Sequence, residues 1–233
     1  MLSTLGSKYV TNSNYKNREI VDPYAKSTGI NGYRGMIVDF SKTNPTGWDE
    51  VVLHNIPSTS LTVYETHVAD VTSHKSWGGS LENAKLFKGL YETGTTYTSG
   101  NVTVSTGFDH IKELGVNAMQ LIPIYDQAND ERPDNDPTRT DGSKRAFNWG
   151  YNPSNYNVVE GLYSTDPYDG AKRVTELKEV VRDYALNANN TRVIMDVVYN
   201  HVFSVSSVNL TKIMPKYYFR INAEGGYHNG SGC

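Results

Sequence analysis

The stretch that most constrains this chain is Arg192-Val-Ile-Met-Asp196-Val-Val-Tyr-Asn200-His201. Val193 to Val198 is an apolar run of strand length, rich in β-branched residues and free of Gly and Pro. That is the pattern of a parallel strand buried on both faces. Asp196 interrupts it, and a buried carboxylate is costly without partners. Tyr199, Asn200 and His201 then place three polar-tipped side chains at the strand's C-terminal end, where parallel α/β sheets and barrels bind ligands. A core strand whose Asp is satisfied by backbone amides would explain Asp196 alone. The Asn-His that follows favours a site.

Ahead of it the chain alternates strand and helix. Leu61 to Asp70 reads as a strand, and His67 within it as a packed, hydrogen-bonded histidine. Thr106 reads as the N-cap of a helix, with Asp109 three residues on, a variant of the capping box. Phe108, Ile111 and Leu114 share one face of that helix and Gly115 stops it. Val116 to Pro123 is the next strand, with Ile124-Tyr-Asp126 leaving its C-terminal end. Residues 171–186 form the strongest helix: Val174, Leu177, Val181 and Tyr184 fall at helical spacing with charges opposite. Asp169 or Gly170 caps it, and Asn187 to Asn190 ends it. Such alternation builds a parallel sheet covered by helices.

The remaining segments say less. Residues 71–104 read as a long excursion, with a helical turn within Leu81–Tyr91 and a loop over Gly94–Gly100. Residues 1–50 are polar, with turns at Asn31-Gly32 and Asn44-Pro45 and one short strand over Arg34–Phe40. They hold too little apolar material for a core of their own. Residues 203–233 read as a loop region.

Composition excludes several function classes. No apolar run approaches the ~18 residues of a membrane span. A net charge of −3 without basic clusters argues against nucleic acid. The single cysteine, Cys233, rules out an internal disulfide and a Cys-based zinc site. Met1 to Lys8 lacks the basic and apolar segments of a signal peptide, which gives a cytoplasmic expectation. The loop from Asn129 to Lys144 carries Asp130, Glu131, Asp134, Asp136 and Asp141, oxygen ligands of the kind calcium takes. EF-hand spacing is absent, and the loop reads as solvated.

Five stretches carry a family resemblance. Asp196-Val-Val-Tyr-Asn200-His201 resembles the first conserved region of the α-amylase superfamily (glycoside hydrolase family 13), at the end of the third barrel strand. Phe147-Asn-Trp-Gly-Tyr151-Asn-Pro153 resembles the type I pullulanase signature Y-N-W-G-Y-D-P, with Phe147 for Tyr and Asn152 for Asp. Tyr64-Glu-Thr-His67-Val-Ala-Asp70 resembles the first barrel strand, Y-E-x-H-V-R-D, with Ala69 for Arg. Phe108 to Pro123 resembles the first helix and second strand. Pro23 to Asp39 is similar to the last strands of the β-sandwich that precedes pullulanase catalytic domains.

The resemblance implies an α/β fold: about the first three β/α units of a (β/α)8 TIM barrel, preceded by the tail of a β-sandwich. Residues 1–50 would be sandwich strands and linker, and residues 51–233 the first part of the catalytic barrel. It implies a retaining, α-1,6-debranching hydrolase acting on pullulan, starch or glycogen. Tyr151 would stack on a sugar ring and His201 hydrogen-bond the sugar beside the scissile bond. Asp196 would fix the neighbouring catalytic architecture, with Trp149 a further glucan contact. Asn200 matches a calcium ligand of many α-amylases, and no cofactor is otherwise implied. The nucleophile and general acid match no position here, so they are expected beyond residue 233. The rest of the barrel would then come in cis or from another chain, and this chain alone would be inactive and poorly stable. An isoamylase-like or neopullulanase-like enzyme, a non-catalytic α-glucan-binding chain and a small doubly wound α/β protein are the alternatives.

Overall fold

The computed structural model describes residues 2–4, 19–141 and 143–230, and Cys233 lies outside them. In chain order the strands and helices are β1 (Leu2–Thr4), β2 (Glu19–Val21), β3 (Val63–Thr66), α1 (Asp70–Ser73), β4 (Thr96–Ser99), β5 (Val102–Ser105), α2 (Gly107–Leu114), β6 (Ala118–Leu121), β7 (Tyr125–Gln127), β8 (Pro153–Val159), α3 (Gly170–Asn187), β9 (Arg192–Met195) and α4 (Asn209–Ile213). β3, β6 and β9 form a parallel sheet with β6 in the middle. Tyr64, Met119 and Val193 lie in one row across it, and Thr66, Leu121 and Met195 in another. The parallel alternation expected from the sequence is present.

One face of the sheet is covered. Met119 and Leu121 pack with Phe87, Leu90, Phe108, Ile111, Val180 and Tyr184 in a single core beneath α2 and α3. Each such side chain contributes about 1.5–3 kcal/mol on burial. On the other face Glu65 and Gln120 meet in solvent, the Gln120 amide donating to Glu65 at 2.9 Å. β9 departs from the expectation of a strand buried on both faces. Among the described residues it is an edge strand paired only with β6, so Met195 is 48% and Val197 41% exposed, and strand pairing ends at Met195. Asp196 keeps one ladder bond, its amide donating to the Leu121 carbonyl at 3.0 Å.

Other local expectations also shift. Leu114 is half exposed, because α2 has reached its left-handed stop at Gly115. The Thr106 hydroxyl donates to the Trp77 carbonyl and caps nothing. Asp109 instead accepts from the Gly94 amide at 2.5 Å. The loop expected over Gly94–Gly100 contains β4, which pairs antiparallel with β5 across Gly100 and Asn101. Arg34–Phe40 forms no strand. Gly35 makes one bridge to Thr28, and a 3-10 turn capped by Asp39 follows.

α3 begins as expected, with the Asp169 carboxylate accepting from the Ala171 amide at 2.8 Å. Its buried stripe differs. Val180 is buried and Val181 only partly so, and Arg173 and Glu176 are buried as well. Both charges have built partners. Arg173 grips Glu131 through two bonds of 3.0 and 2.6 Å and donates to the carbonyls of Gly29 and Pro167 at 3.0 and 3.2 Å. Glu176 accepts from the Thr165 amide at 2.9 Å. Glu131 therefore leaves the solvated loop expected for it and becomes fully buried. Gly161 admits this arrangement, since a Cβ there would stand 2.4 Å from the guanidinium carbon.

Removing one partner of a buried ion pair strands the other. Arg173→Ala should cost about 3–5 kcal/mol in urea unfolding. Arg173→Lys should recover only part, because one ammonium cannot reproduce the two-pronged contact. A loss below about 1 kcal/mol would show the pair to be no stronger than a surface one.

Candidate functional site

The site forms where β9 ends and the loop 147–153 folds over the C-terminal edge of the sheet. Gly150 sets the loop's path: it sits at φ +92°, and a Cβ there would fall 2.3 Å from the Pro123 carbonyl oxygen. Only glycine suits both the conformation and the approach. The Asn148 side chain braces the turn, accepting from the Gly150 amide at 3.0 Å and donating to Asn129 at 2.9 Å. His67, buried at the end of β3, accepts from the Ala69 amide at Nδ1 (3.1 Å), which leaves its proton on Nε2. That nitrogen faces the Asn148 carbonyl at 3.0 Å and the Tyr163 hydroxyl at 2.9 Å. His67 thus ties the loop to the sheet, as a packed histidine would.

This scaffold brings Tyr151, Asp196 and His201 together. The Tyr151 hydroxyl donates to Asp196 Oδ2 at 2.8 Å. Burial, and then that carboxylate, push the phenol up to about 12. His201 Nε2 bonds the Tyr151 carbonyl at 2.8 Å, and its Nδ1 lies 3.0 Å from the Asn200 amide nitrogen. Nε2 therefore carries the proton and donates, while Nδ1 accepts. Trp149 is 64% exposed. With Tyr151 it lines an open pocket of about 710 Å³ whose floor includes Glu65, His67 and Asp70. Two aromatic faces, a carboxylate and an imidazole make a surface that can stack on a flat apolar patch and exchange hydrogen bonds with hydroxyls. Asn152 contributes its backbone here, its carbonyl accepting from the Ala128 amide at 3.1 Å.

Sequence reasoning missed the supports behind these residues. The Tyr156 hydroxyl donates to the His201 carbonyl at 3.1 Å. Tyr125 and Tyr199 touch through their hydroxyls at 2.8 Å. Burial and this contact push Tyr125 up to about 12. The available signal was the run of alternating Asn and Tyr at 155–157, which gives no hint of its partners.

Residues 40–213 match the Alpha-amylase family, described as alpha amylase, catalytic domain. The chain belongs to that family. Among curated relatives, pullulanase of Bacillus subtilis (strain 168) is 34% identical over 216 residues, which make up 92% of this chain and 27% of that protein. The crystal structure of pullulanase from Paenibacillus barengoltzii in complex with maltohexaose and alpha-cyclodextrin is 42% identical. It superposes with a TM-score of 0.79, covering 92% of this chain and 32% of that one. Pullulanase from Bacillus acidopullulyticus is 39% identical with a TM-score of 0.79, covering 93% and 25%. The chain is thus of the pullulanase type within the α-amylase family, and spans less than a third of the length of each of these relatives.

Calcium, raised by the family resemblance, can be tested against the residues. Among the described residues, Asp126, Glu131 and Glu160 form the one group of three whose ligand atoms lie within 4.8 Å of one another, all buried. They do not fit a cation. Glu131 is occupied by Arg173 and by the Gly161 amide at 2.9 Å. Glu160 accepts from the amides of Gln127 and Leu162, each at 2.8 Å. Asp126 accepts from Asn155 at 2.5 Å, and its other oxygen lies 3.9 Å from the Arg173 guanidinium. The fixed donors and the guanidinium charge take the place of a metal. Protons carry the remaining balance: burial, and then Glu131, push Asp126 up to about 8, and burial raises Glu160 well above the carboxylate range. Asn200 stands apart from this group.

A carboxyl that keeps its proton only when folded lends stability that is full below its unfolded pKa and is lost as pH rises toward the folded value. Stability should therefore fall between about pH 4 and about pH 8. Asp126→Asn, always neutral, should flatten this slope in urea midpoints measured across the range. An unchanged slope would place the proton elsewhere.

Proposed function

We propose that the full-length protein is an α-1,6-glucan debranching hydrolase acting on pullulan, starch or glycogen with retention of configuration. The observation that carries this reading is the joining of Tyr151, Asp196 and His201 by 2.8 Å hydrogen bonds beyond the ends of parallel strands. The Paenibacillus relative crystallised with maltohexaose supports an α-glucan as ligand. Tyr151 and Trp149 offer rings to sugar faces. The Asp196 carboxylate offers an acceptor to hydroxyls, and the His201 Nε2 proton, held on the Tyr151 carbonyl, would pass to a sugar hydroxyl as ligand binds.

In this reading residues 51–233 provide about the first three β/α units of a (β/α)8 barrel, and the open face at Glu65 and Gln120 becomes its interior. The sheet order β3-β6-β9 supports this, as the antiparallel pair β1–β2 supports a sandwich for residues 1–50. Retention needs two carboxyl groups about 5 Å apart. Both are placed outside this chain's residues, in β/α units supplied in cis or by another chain. Catalysis needs no cofactor. Calcium at Asn200 would be structural, with the rest of its 6–8 oxygen ligands drawn mostly from beyond these residues.

Full-length protein should release maltotriose from pullulan. Panose would shift the reading to a neopullulanase-like enzyme, and debranching of glycogen with pullulan untouched to an isoamylase-like one. Tyr151→Ala and His201→Ala should each lower kcat/KM about 10- to 100-fold. The 233-residue chain should release no reducing ends by itself, and appreciable release from a pure sample would defeat that part.

A further inference from the structure

β8 departs from a regular strand beside the site. Tyr125 pairs with Val159 and the next residue, Asp126, with Asn155, so Tyr156, Asn157 and Val158 bulge out of the ladder. Asn157 sits at φ +60°, a left-handed conformation that asparagine tolerates better than most residues but which remains uncommon. In a regular strand Tyr156 and Asn157 would point to opposite faces. Here both reach the segment that carries His201. Asn157 Oδ1 lies 3.1 Å from the Tyr125 hydroxyl and 3.0 Å from that of Tyr199. Those hydroxyls are 2.8 Å apart, so two protons are shared over three short contacts. The Tyr156 hydroxyl takes the His201 carbonyl at 3.1 Å. The rings of Tyr125 and Tyr156 flank Tyr199, with centroids 6.1 and 5.8 Å away. One dipeptide thus grips the chain on both sides of Asn200. Strain at a non-glycine residue persists where its surroundings enforce it, often beside a site.

We propose that Asn157 is a positioning residue for His201. Its left-handed bulge clamps Tyr199 from one side while Tyr156 holds the His201 carbonyl from the other. The imidazole is thereby kept with Nε2 on the Tyr151 carbonyl. This rests on the α-glucan reading only for what His201 does once positioned, and the clamp is tested without any sugar.

The full-length protein is treated with diethyl pyrocarbonate, which acylates free imidazole nitrogens, and each histidine is followed by peptide mass spectrometry. Both His201 nitrogens are engaged, so it should react slowly beside exposed His54. Buried His67 reports the global fold. Asn157→Gly keeps the backbone conformation and removes the amide. It should speed His201 about fivefold or more, the population shift of one lost hydrogen bond, with His67 still protected. Asn157→Asp retains an acceptor and should stay slow. An unchanged His201 rate in the Gly variant overturns the proposal, as does equal acceleration in Gly and Asp variants. If Asn157→Gly loosens His67 too, Tyr156→Phe decides, since it deletes one hydroxyl and spares the backbone. Selective acceleration of His201 supports the clamp and an unchanged rate rejects it.

Discussion

The buried pair between Arg173 and Glu131 is the contact on which the rest of the fold depends. Arg173 projects from the first turn of the longest helix into the protein interior. From there it reaches the acidic loop and the carbonyls of Gly29 and Pro167. Desolvating a guanidinium and a carboxylate consumes most of their attraction, so the pair adds little net stability. What it provides is register. Segments far apart in sequence are held at one point by a planar fork that accepts few other geometries. Asp126 and Glu160, which share that pocket, lie on or just beyond the hairpin that supports the site.

From that anchor the site is built outward. The β7–β8 hairpin fixes Tyr125 and Tyr156, and the sheet edge fixes Asp196. The loop between them is held by the His67 contact to the Asn148 carbonyl and by the approach of Gly150 to Pro123. Tyr151 then has little choice of position. Its hydroxyl meets Asp196 and its carbonyl meets His201, so one residue satisfies two polar groups of the neighbouring segment. Polar groups paired with one another in this way are held in place before any ligand arrives.

Much of this was legible from residue patterns. The apolar runs around Met119 and Val193 and the helical spacing of Val174 and Tyr184 predict the sheet and α3. The Phe147–Pro153 and Asp196–His201 stretches mark the side chains that meet. What stayed hidden has physical causes. Arg173 looks like part of a solvated face because its carboxylate partner, Glu131, lies in a distant loop. Glu176 does so because its main partner is a backbone amide, that of Thr165, which leaves no mark in the sequence. The β4–β5 hairpin was missed although Gly100-Asn101 is a turn signal, because the alternation of Val102-Thr-Val-Ser105 runs for only four residues and its exposed strands leave no buried face to mark. The bulge at Asn157 leaves no trace in periodicity, since it depends on two distant tyrosines. β9 reads as buried on both faces because its apolar run shows which side chains avoid water, but not which neighbours cover them.

The glycine at the centre of the loop bears on how such a site can change. Position 150 and the Pro123 backbone form a lock: no side chain can be tried at 150 unless the segment that follows β6 moves as well. Single-step variation is therefore channelled to the flanks of the locked turn. Phe147 and Asn152, where this chain departs from the pullulanase signature, both lie on those flanks. The architecture of the loop thus limits which substitutions selection is ever offered, before any question of what the loop binds.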